Sequence, residues 1–242
     1  NGVNQILILG HMKKHEIHGN SRFQIRKNKM ILTTVVCGLV EEADQVTKRD
    51  DLQVLWGDAR NHLDTEVSRG CGQIISLGVS GGLNPKLRIG DIVIADAVSN
   101  KKGIYVTSEP IKKFWQSVFK DAKLVYEYSS GMEEGNTADE RLELFNKYHC
   151  DAIDDESIHV ARFALKNDIP FGVIRVISDT AATFLPAWML QATNVHGKSS
   201  FWDILKGLEH HPQDIVDLVE VGLNYRVALN TLYHINKKLF PA

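Results

Sequence analysis

The stretch that most constrains this chain is Phe171–Ile177, Phe-Gly-Val-Ile-Arg-Val-Ile, a β-branched run with almost no polar interruption. A strand of that character is buried on both faces, so helices must cover a sheet from two sides. The segment before it has helical periodicity, with Ile158, Ala161, Phe163, Ala164 and Leu165 on an apolar face and His159, Arg162 and Lys166 on a polar one. Ile169-Pro170 stops that helix, because proline lacks a backbone donor and restricts the residue before it. The run ends at Ser178-Asp179, and ligands of open α/β sheets bind beyond the carboxyl ends of the strands. An acidic cluster, Asp154-Asp155-Glu156, opens the same unit. One helix–strand unit therefore carries Glu156 at its start and Asp179 at its finish. Each also has a plainer role: a helix N-cap for Asp179 and a solvated first-turn acid for Glu156.

The remaining chain alternates in the same way. Ile31–Cys37 reads as a first strand ending at Gly38, followed by Glu41-Glu42 and a short polar helix. Leu52–Trp56 reads as a strand, and Ala59–Arg69 as an amphipathic helix with Leu63 and Val67 inward. Ile74–Leu77 runs as a strand into the loop Gly78-Val79-Ser80-Gly81-Gly82, then a Pro85/Gly90 turn and a strand at Asp91–Ala95. A helix over Ser108–Phe119, a strand at Leu124–Tyr128 and a helix over Thr137–Tyr148, capped by Asn136 or Thr137, come next. Pro212–Lys238 is a long closing helix whose inner face is Ile215, Leu218, Val219, Leu223, Val227, Leu229 and Leu232. Strands alternating with helices predict a single-domain three-layer α/β/α fold around a central mixed, mostly parallel sheet. The 242 residues, 43% of them hydrophobic, suffice for one such core.

Residues 1–29 stand apart as an extension, leaving 30–242 as the domain. In that extension positive charge follows the apolar Gln5–Leu9, the reverse of a signal peptide. His11, His15 and His18 have the spacing of helical metal ligands, yet only Glu16 accompanies them, and a solvated segment explains them better. A net charge of −2 gives no sign of a nucleic-acid partner. Cys37, Cys71 and Cys150 lack CxxC spacing, which points to a reducing cytosol and a cytoplasmic protein. No apolar run approaches the ~20 residues of a membrane helix. Gly78–Gly82 also satisfies G-x-S-x-G, but that nucleophile elbow needs a helix directly after the serine, and Pro85 and Gly90 prevent one. G-x-G-x-x-G is absent, which removes a dinucleotide-binding reading.

Glycines at a strand exit let the backbone approach a ligand and turn its N–H groups toward oxygen atoms. The pieces GVSGGLNPKLRIGDIVIAD, IDDES and PFGVIRVISDTA occur in this order in the purine nucleoside phosphorylase and nucleosidase superfamily, which the chain resembles from about Met30 onward. GLVEEA, FLPA and HPQDIVDLVEVGLNYRVALNTL resemble its hopanoid-associated phosphorylase branch. The resemblance implies cleavage of a purine N-glycosidic bond, by phosphate in a pentosyltransferase or by water in an N-glycosyl hydrolase. It places Asp179 as the acid that protonates the departing base, with Ser178 beside it. Glu156 would grip the ribose hydroxyls, with Asp155 next to it. Glu42 would activate water, Glu41 being one register off. The backbone of Gly78, Val79, Ser80 and Gly81, with Arg60 and Arg175, would face phosphate or the nucleophile.

Two departures from the family pattern bear on the nucleophile. Ser76 and Val79 stand where phosphorolytic relatives carry an arginine and a hydroxyl residue, with Ser80 displaced by one, and Asp155 replaces a methionine beneath the sugar. Hydrolysis and phosphorolysis both stay open on these residues. The branch implies adenosylhopane as substrate, giving adenine and a ribosyl- or phosphoribosyl-hopane in hopanoid lipid biosynthesis. Phe184, Leu185, Pro186, Trp188, Met189, Leu190, Phe201 and Trp202 are candidates for an apolar lipid channel, with transient contact to a membrane surface, although aromatic clusters more often pack a core or subunit interface. A general purine nucleoside phosphorylase, a methylthioadenosine/adenosylhomocysteine-type nucleosidase and a non-catalytic nucleoside-binding protein are the alternatives. The resemblance implies no cofactor or metal, with phosphate as the one candidate co-substrate, and a homodimer or higher homo-oligomer.

Overall fold

The computed structural model describes residues 32–57, 59–67, 70–129, 135, 137–183 and 209–241, with backbone alone for 59–62. The strands are β1 (Leu32–Cys37), β2 (Leu52–Trp56), β3 (Cys71–Gly82), β4 (Ile92–Asn100), β5 (Gly103–Val106), β6 (Lys123–Ser129), β7 (Ala152–Asp154) and β8 (Phe171–Asp179). The helices are α1 (Val40–Ala43), α2 (Ala59–Glu66), α3 (Glu109–Val118), α4 (Ala138–Tyr148), α5 (Ser157–Lys166) and α6 (Ile215–Leu239). All of them lie within the unit Ile31–Ala242. The histidines of the extension and the aromatic cluster between Phe184 and Trp202 lie outside the described residues.

The eight strands form one mixed sheet, as the alternation of elements predicted. Among the described residues five ladders are parallel (β1 with β2 and β3, β3 with β8, β4 with β6, β6 with β7) and three antiparallel. β8 joins β3 to β4, while β7 and β6 join the same two strands by another route, so part of the sheet closes on itself. The glycines expected as a loop are instead the end of β3, a strand of 12 residues. Without side chains they let β3 slip register against β8 between Ser80 and Gly81 and pair onward with β7 at Gly81 and Gly82. Polar residues are thereby brought to a junction of three strands.

Every residue of β8 is buried. On one face Ile174 and Val176 pack with Ile75 and Leu77 of β3, Trp115 of α3, and Leu232 and Ile235 of α6. On the other, Val173 and Phe171 pack with Ile74 and with Ile158, Val160, Ala161 and Ala164 of α5. Each fully buried aliphatic side chain contributes roughly 1.5–3 kcal/mol, so this central strand anchors the domain. Gly172 has a packing reason: a Cβ there would lie 2.6 Å from the Trp115 ring.

Two expectations are refined. Thr137, not Asn136, caps α4, its Oγ1 accepting the Glu140 N–H at 3.2 Å while Glu140 accepts the Thr137 N–H at 3.3 Å. The inner face of α6 is confined to its second half. Ala228, Leu232 and Ile235 are buried, whereas Ile215, Val219, Leu223 and Val227 are 49–60% exposed. At 25 residues α6 runs about 37 Å, and the part that packs with Ile174 and Val176 of β8 is its second half. Among the described residues no helix is long and apolar enough to cross a membrane.

Candidate active site

β1 ends at Gly38, and the single turn of α1 sends the Glu42 side chain back over that exit. Its Oε2 accepts the N–H groups of Gly38 and Leu39, each at 3.0 Å, and its Oε1 accepts the N–H of Val79 on β3 at 2.8 Å. One carboxylate thus satisfies three backbone donors, two at the exit of β1 and one within β3. Glu41 takes none of these bonds, so the choice between adjacent glutamates falls to Glu42, which is 2% exposed. Burial pushes the Glu42 carboxyl above its ordinary range, opposed by Arg175 and the backbone donors. From α6, Tyr225 contributes a buried hydroxyl with no hydrogen-bond partner among the described residues, its ionisation pushed up by burial and by Glu42 and Glu41.

Arg175 of β8 sits opposite Gly78 of β3 and is buried. Its Nη2 donates to Ser76 Oγ at 2.7 Å, to Ser157 Oγ at 3.0 Å and to Asp154 Oδ2, and lies 3.7 Å from Glu156 Oε2. Asp154 Oδ2 also accepts the N–H and hydroxyl of Ser157 at the start of α5. Burial works against the charge on Arg175, but Asp154, Glu156, Glu42 and Glu127 outweigh it and keep the guanidinium protonated. Gly78 is where these groups converge: a Cβ there would collide with Arg175 Nη1 and lie 2.7 Å from each oxygen of Glu42.

Glu156 precedes α5, and its carboxylate lies over Gly38, where a Cβ would come within 2.5 Å of Oε1. Burial raises its pKa to about 8; Arg175 opposes this, and Asp154, Asp155 and Glu42 add to it. Asp155, half-buried in the turn, acts here through its charge on Glu156.

Asp179 ends β8 opposite Gly81, a position where a Cβ would lie 2.9 Å from Asp179 Oδ1. Ser178 Oγ donates to Asp179 Oδ2 at 2.8 Å and reaches Ser80 O at 3.3 Å. Arg141 of α4, 1% exposed, brings Nη1 to 2.5 Å from Asp179 Oδ1, an ion contact without hydrogen-bond alignment. The hydrogen bonds of that guanidinium go to the Thr180 carbonyl (Nη1) and the Gly135 carbonyl (Nε), both at 2.7 Å.

The fold therefore gathers Glu42, Glu156 and Arg175 around Gly38 and Gly78, and sets Asp179 and Ser178 at Gly81, about 10 Å further along β3. The expected anion cradle at residues 78–81 is largely occupied. The Val79 N–H is taken by Glu42, and the buried Ser80 hydroxyl donates to Glu127 of β6, away from any ligand. Burial, then repulsion by Asp154, raises the pKa of Glu127 to about 8. Arg60 lies on α2, and its side chain is outside the described residues. Among the described residues no group of three or more His, Cys, Asp or Glu side chains is arranged to hold a metal ion.

Glu127 and Arg141 were not singled out from sequence, and Asp154 entered only as a member of the acidic cluster. For the first two a signal existed. Glu127 shares the inward face of β6 with the buried Val125 and Ser129, and Arg141 lies three residues before the buried Leu144 on α4. Charged residues on inward-facing positions need partners, and both have them.

The family model of the phosphorylase superfamily matches residues 59–112. A 5'-methylthioadenosine/S-adenosylhomocysteine nucleosidase of Tolumonas auensis is 28% identical over 150 residues, which span 52% of this chain and 65% of that protein's length. Among solved structures, a putative enzyme of the same name from Francisella philomiragia superposes with a TM-score of 0.61 at 14% identity, covering 88% of this chain and all of that one. The futalosine hydrolase of Helicobacter pylori superposes with a TM-score of 0.53 at 17% identity, over 62% of this chain and 89% of its own. The chain thus has the nucleoside phosphorylase/nucleosidase fold, matches the phosphorylase superfamily over residues 59–112, and is similar over about half its length to a nucleosidase of the first kind.

Proposed function

We propose that this protein is a nucleosidase that cleaves the N-glycosidic bond of an adenine nucleoside with water. The observation that carries this reading is the binding of Glu42 by three backbone N–H groups. Those donors would otherwise serve a phosphate, and a dianion brought to them would meet Glu42 and Glu156 at close range. A glutamate whose pKa burial raises above the ordinary carboxylate range is instead the better base toward water.

In this reading the water oxygen bonds to the anomeric carbon of the ribose as the bond to the purine nitrogen breaks. The water proton passes to Glu42. Asp179 gives a proton to the departing base, which leaves as neutral adenine, and Ser178 orients that carboxyl. Glu156 accepts hydrogen bonds from the ribose hydroxyls, and the charge of Arg175 acts on both Glu156 and Glu42. The names of the matched proteins, methylthioadenosine/adenosylhomocysteine nucleosidases and a futalosine hydrolase, support hydrolysis over phosphorolysis. They also support a nucleoside with a substituent on the 5' carbon. Adenosylhopane, implied by the branch resemblance, is the finer candidate of that class.

The test is adenine release from methylthioadenosine and from adenosylhopane, with and without phosphate, with the sugar product identified. The reading expects a free reducing sugar at a rate independent of phosphate. A phosphate-dependent rate with a sugar 1-phosphate as product would overturn it.

A further inference from the structure

We propose that Arg141 is a positioning residue for the leaving-group side of the reaction, holding Asp179 in the orientation from which it serves the departing base. The proposal rests on the reading of Asp179 given above. Arg141 is 1% exposed, so its charge is placed in the interior at a cost that needs compensation. Among the described residues, two of its contacts lie at the exit of β8 and one lies ahead of α4. Nε binds the carbonyl of Gly135 ahead of α4, Nη1 binds the carbonyl of Thr180 directly after β8, and the same Nη1 faces Asp179 Oδ1.

The two oxygens of Asp179 are thereby made unequal. Oδ1 is sealed from solvent between Arg141 and Gly81, whereas Oδ2 takes the Ser178 hydroxyl. The side chain is 12% exposed, and with Oδ1 enclosed, Oδ2 is the oxygen left to meet a ligand. Arg141 also ties α4 to the strand exit through the Thr180 carbonyl, so the position of Asp179 depends on a helix remote in sequence. A carboxyl that must protonate a ring nitrogen in the transition state needs this kind of support, because small misplacements of the donor cost rate.

Such a residue matters in proportion to the leaving group's need for a proton, and this separates positioning from a merely structural role. Hydrolysis of adenosine should be compared with hydrolysis of 4-nitrophenyl β-D-ribofuranoside, whose nitrophenolate departs without protonation, in Arg141→Met, Arg141→Lys and Asp179→Asn. Arg141→Met should lower kcat on adenosine by about thirtyfold or more, with KM little changed, and lower turnover of the nitrophenyl riboside by at most about threefold. Arg141→Lys keeps the charge but not the three-point geometry, so it should show the same selectivity with a smaller loss. If Arg141→Met fails to fold, the selective loss in Arg141→Lys is the deciding measurement. An equal loss on both substrates, or none on adenosine, in the folded Arg141 variants would overturn the proposal. Selective loss in Asp179→Asn alone would remove Arg141 from the mechanism and leave the function standing. Absence of selective loss in Asp179→Asn would instead remove the underlying reading.

Discussion

Gly78 presents its bare Cα to Glu42: a Cβ built there would lie 2.7 Å from each carboxylate oxygen and against Arg175 Nη1. The same pattern recurs twice more, with Gly38 facing Glu156 and Gly81 facing Asp179. Each of the three acids at the junction therefore occupies the space that a neighbouring residue's side chain would fill. The floor of the site is glycine because the carboxylates lie directly on it.

Gly78→Ala accordingly tests whether that close approach is required. The methyl group would push Glu42 off the Val79 N–H, and adenine release should fall by about a hundredfold with a lesser loss of stability. Gly103→Ala is the control, since its Cβ would have nothing nearer than 3.8 Å and should leave turnover unchanged. Steady-state turnover and the unfolding midpoint of each variant check this.

Glu42→Gln keeps an oxygen for the backbone donors but cannot take a proton. Its kcat should fall by about a hundredfold or more, while binding of the nucleoside changes little. Single-turnover kinetics against equilibrium binding of a non-hydrolysable nucleoside would separate the two effects. Unchanged turnover would exclude Glu42 as the base.

Arg175→Met removes the one cation among Asp154, Glu156, Glu42 and Glu127. Losing one partner of a buried ion pair leaves an uncompensated charge, and the variant should be destabilised by about 3–5 kcal/mol. Adding Asp154→Asn should restore part of that loss, because the carboxylate that Arg175 binds through Nη2 is then neutral. Urea unfolding of the single and double variants measures both.

The buried acids also set a pH dependence. The carboxyls of Glu127 and Glu156 are raised from 4.5 to about 8 by burial. The folded protein therefore holds protons that the unfolded chain releases between those values. The stability they contribute is fully present below pH 4.5 and is lost as pH rises to about 8. Glu127→Gln should flatten this decline by about 1 kcal/mol or more across the window. Stability measured against pH for both proteins checks it, and parallel curves would show that Glu127 carries no such proton.

Periodicity and local chemistry carried much of this structure into the sequence. The apolar run of β8 demanded two covering layers, and α3, α5 and α6 supply them. Glu156 and Asp179 stood out by their places at the two ends of a single helix–strand unit, whereas Glu42 was named only through the family resemblance. What stayed hidden depended on partners far away in the chain. The Ser80 hydroxyl reads as a ligand for an anion until Glu127, 47 residues on, is seen to receive it. Val227 belongs to an inner face by periodicity alone, yet that side chain is half exposed, one residue before the buried Ala228.

By itself, then, the sequence determined the alternation of elements, the doubly buried strand and the acids at its ends, because those follow from side-chain period and from glycine and proline. Only the tertiary structure decided that the glycines continue β3 into β7, that the Val79 N–H goes to Glu42, that Arg175 serves Asp154 first, and that Arg141 stands behind Asp179. Those outcomes rest on register and on buried charges finding partners across tens of residues, and no local pattern in the chain encodes either.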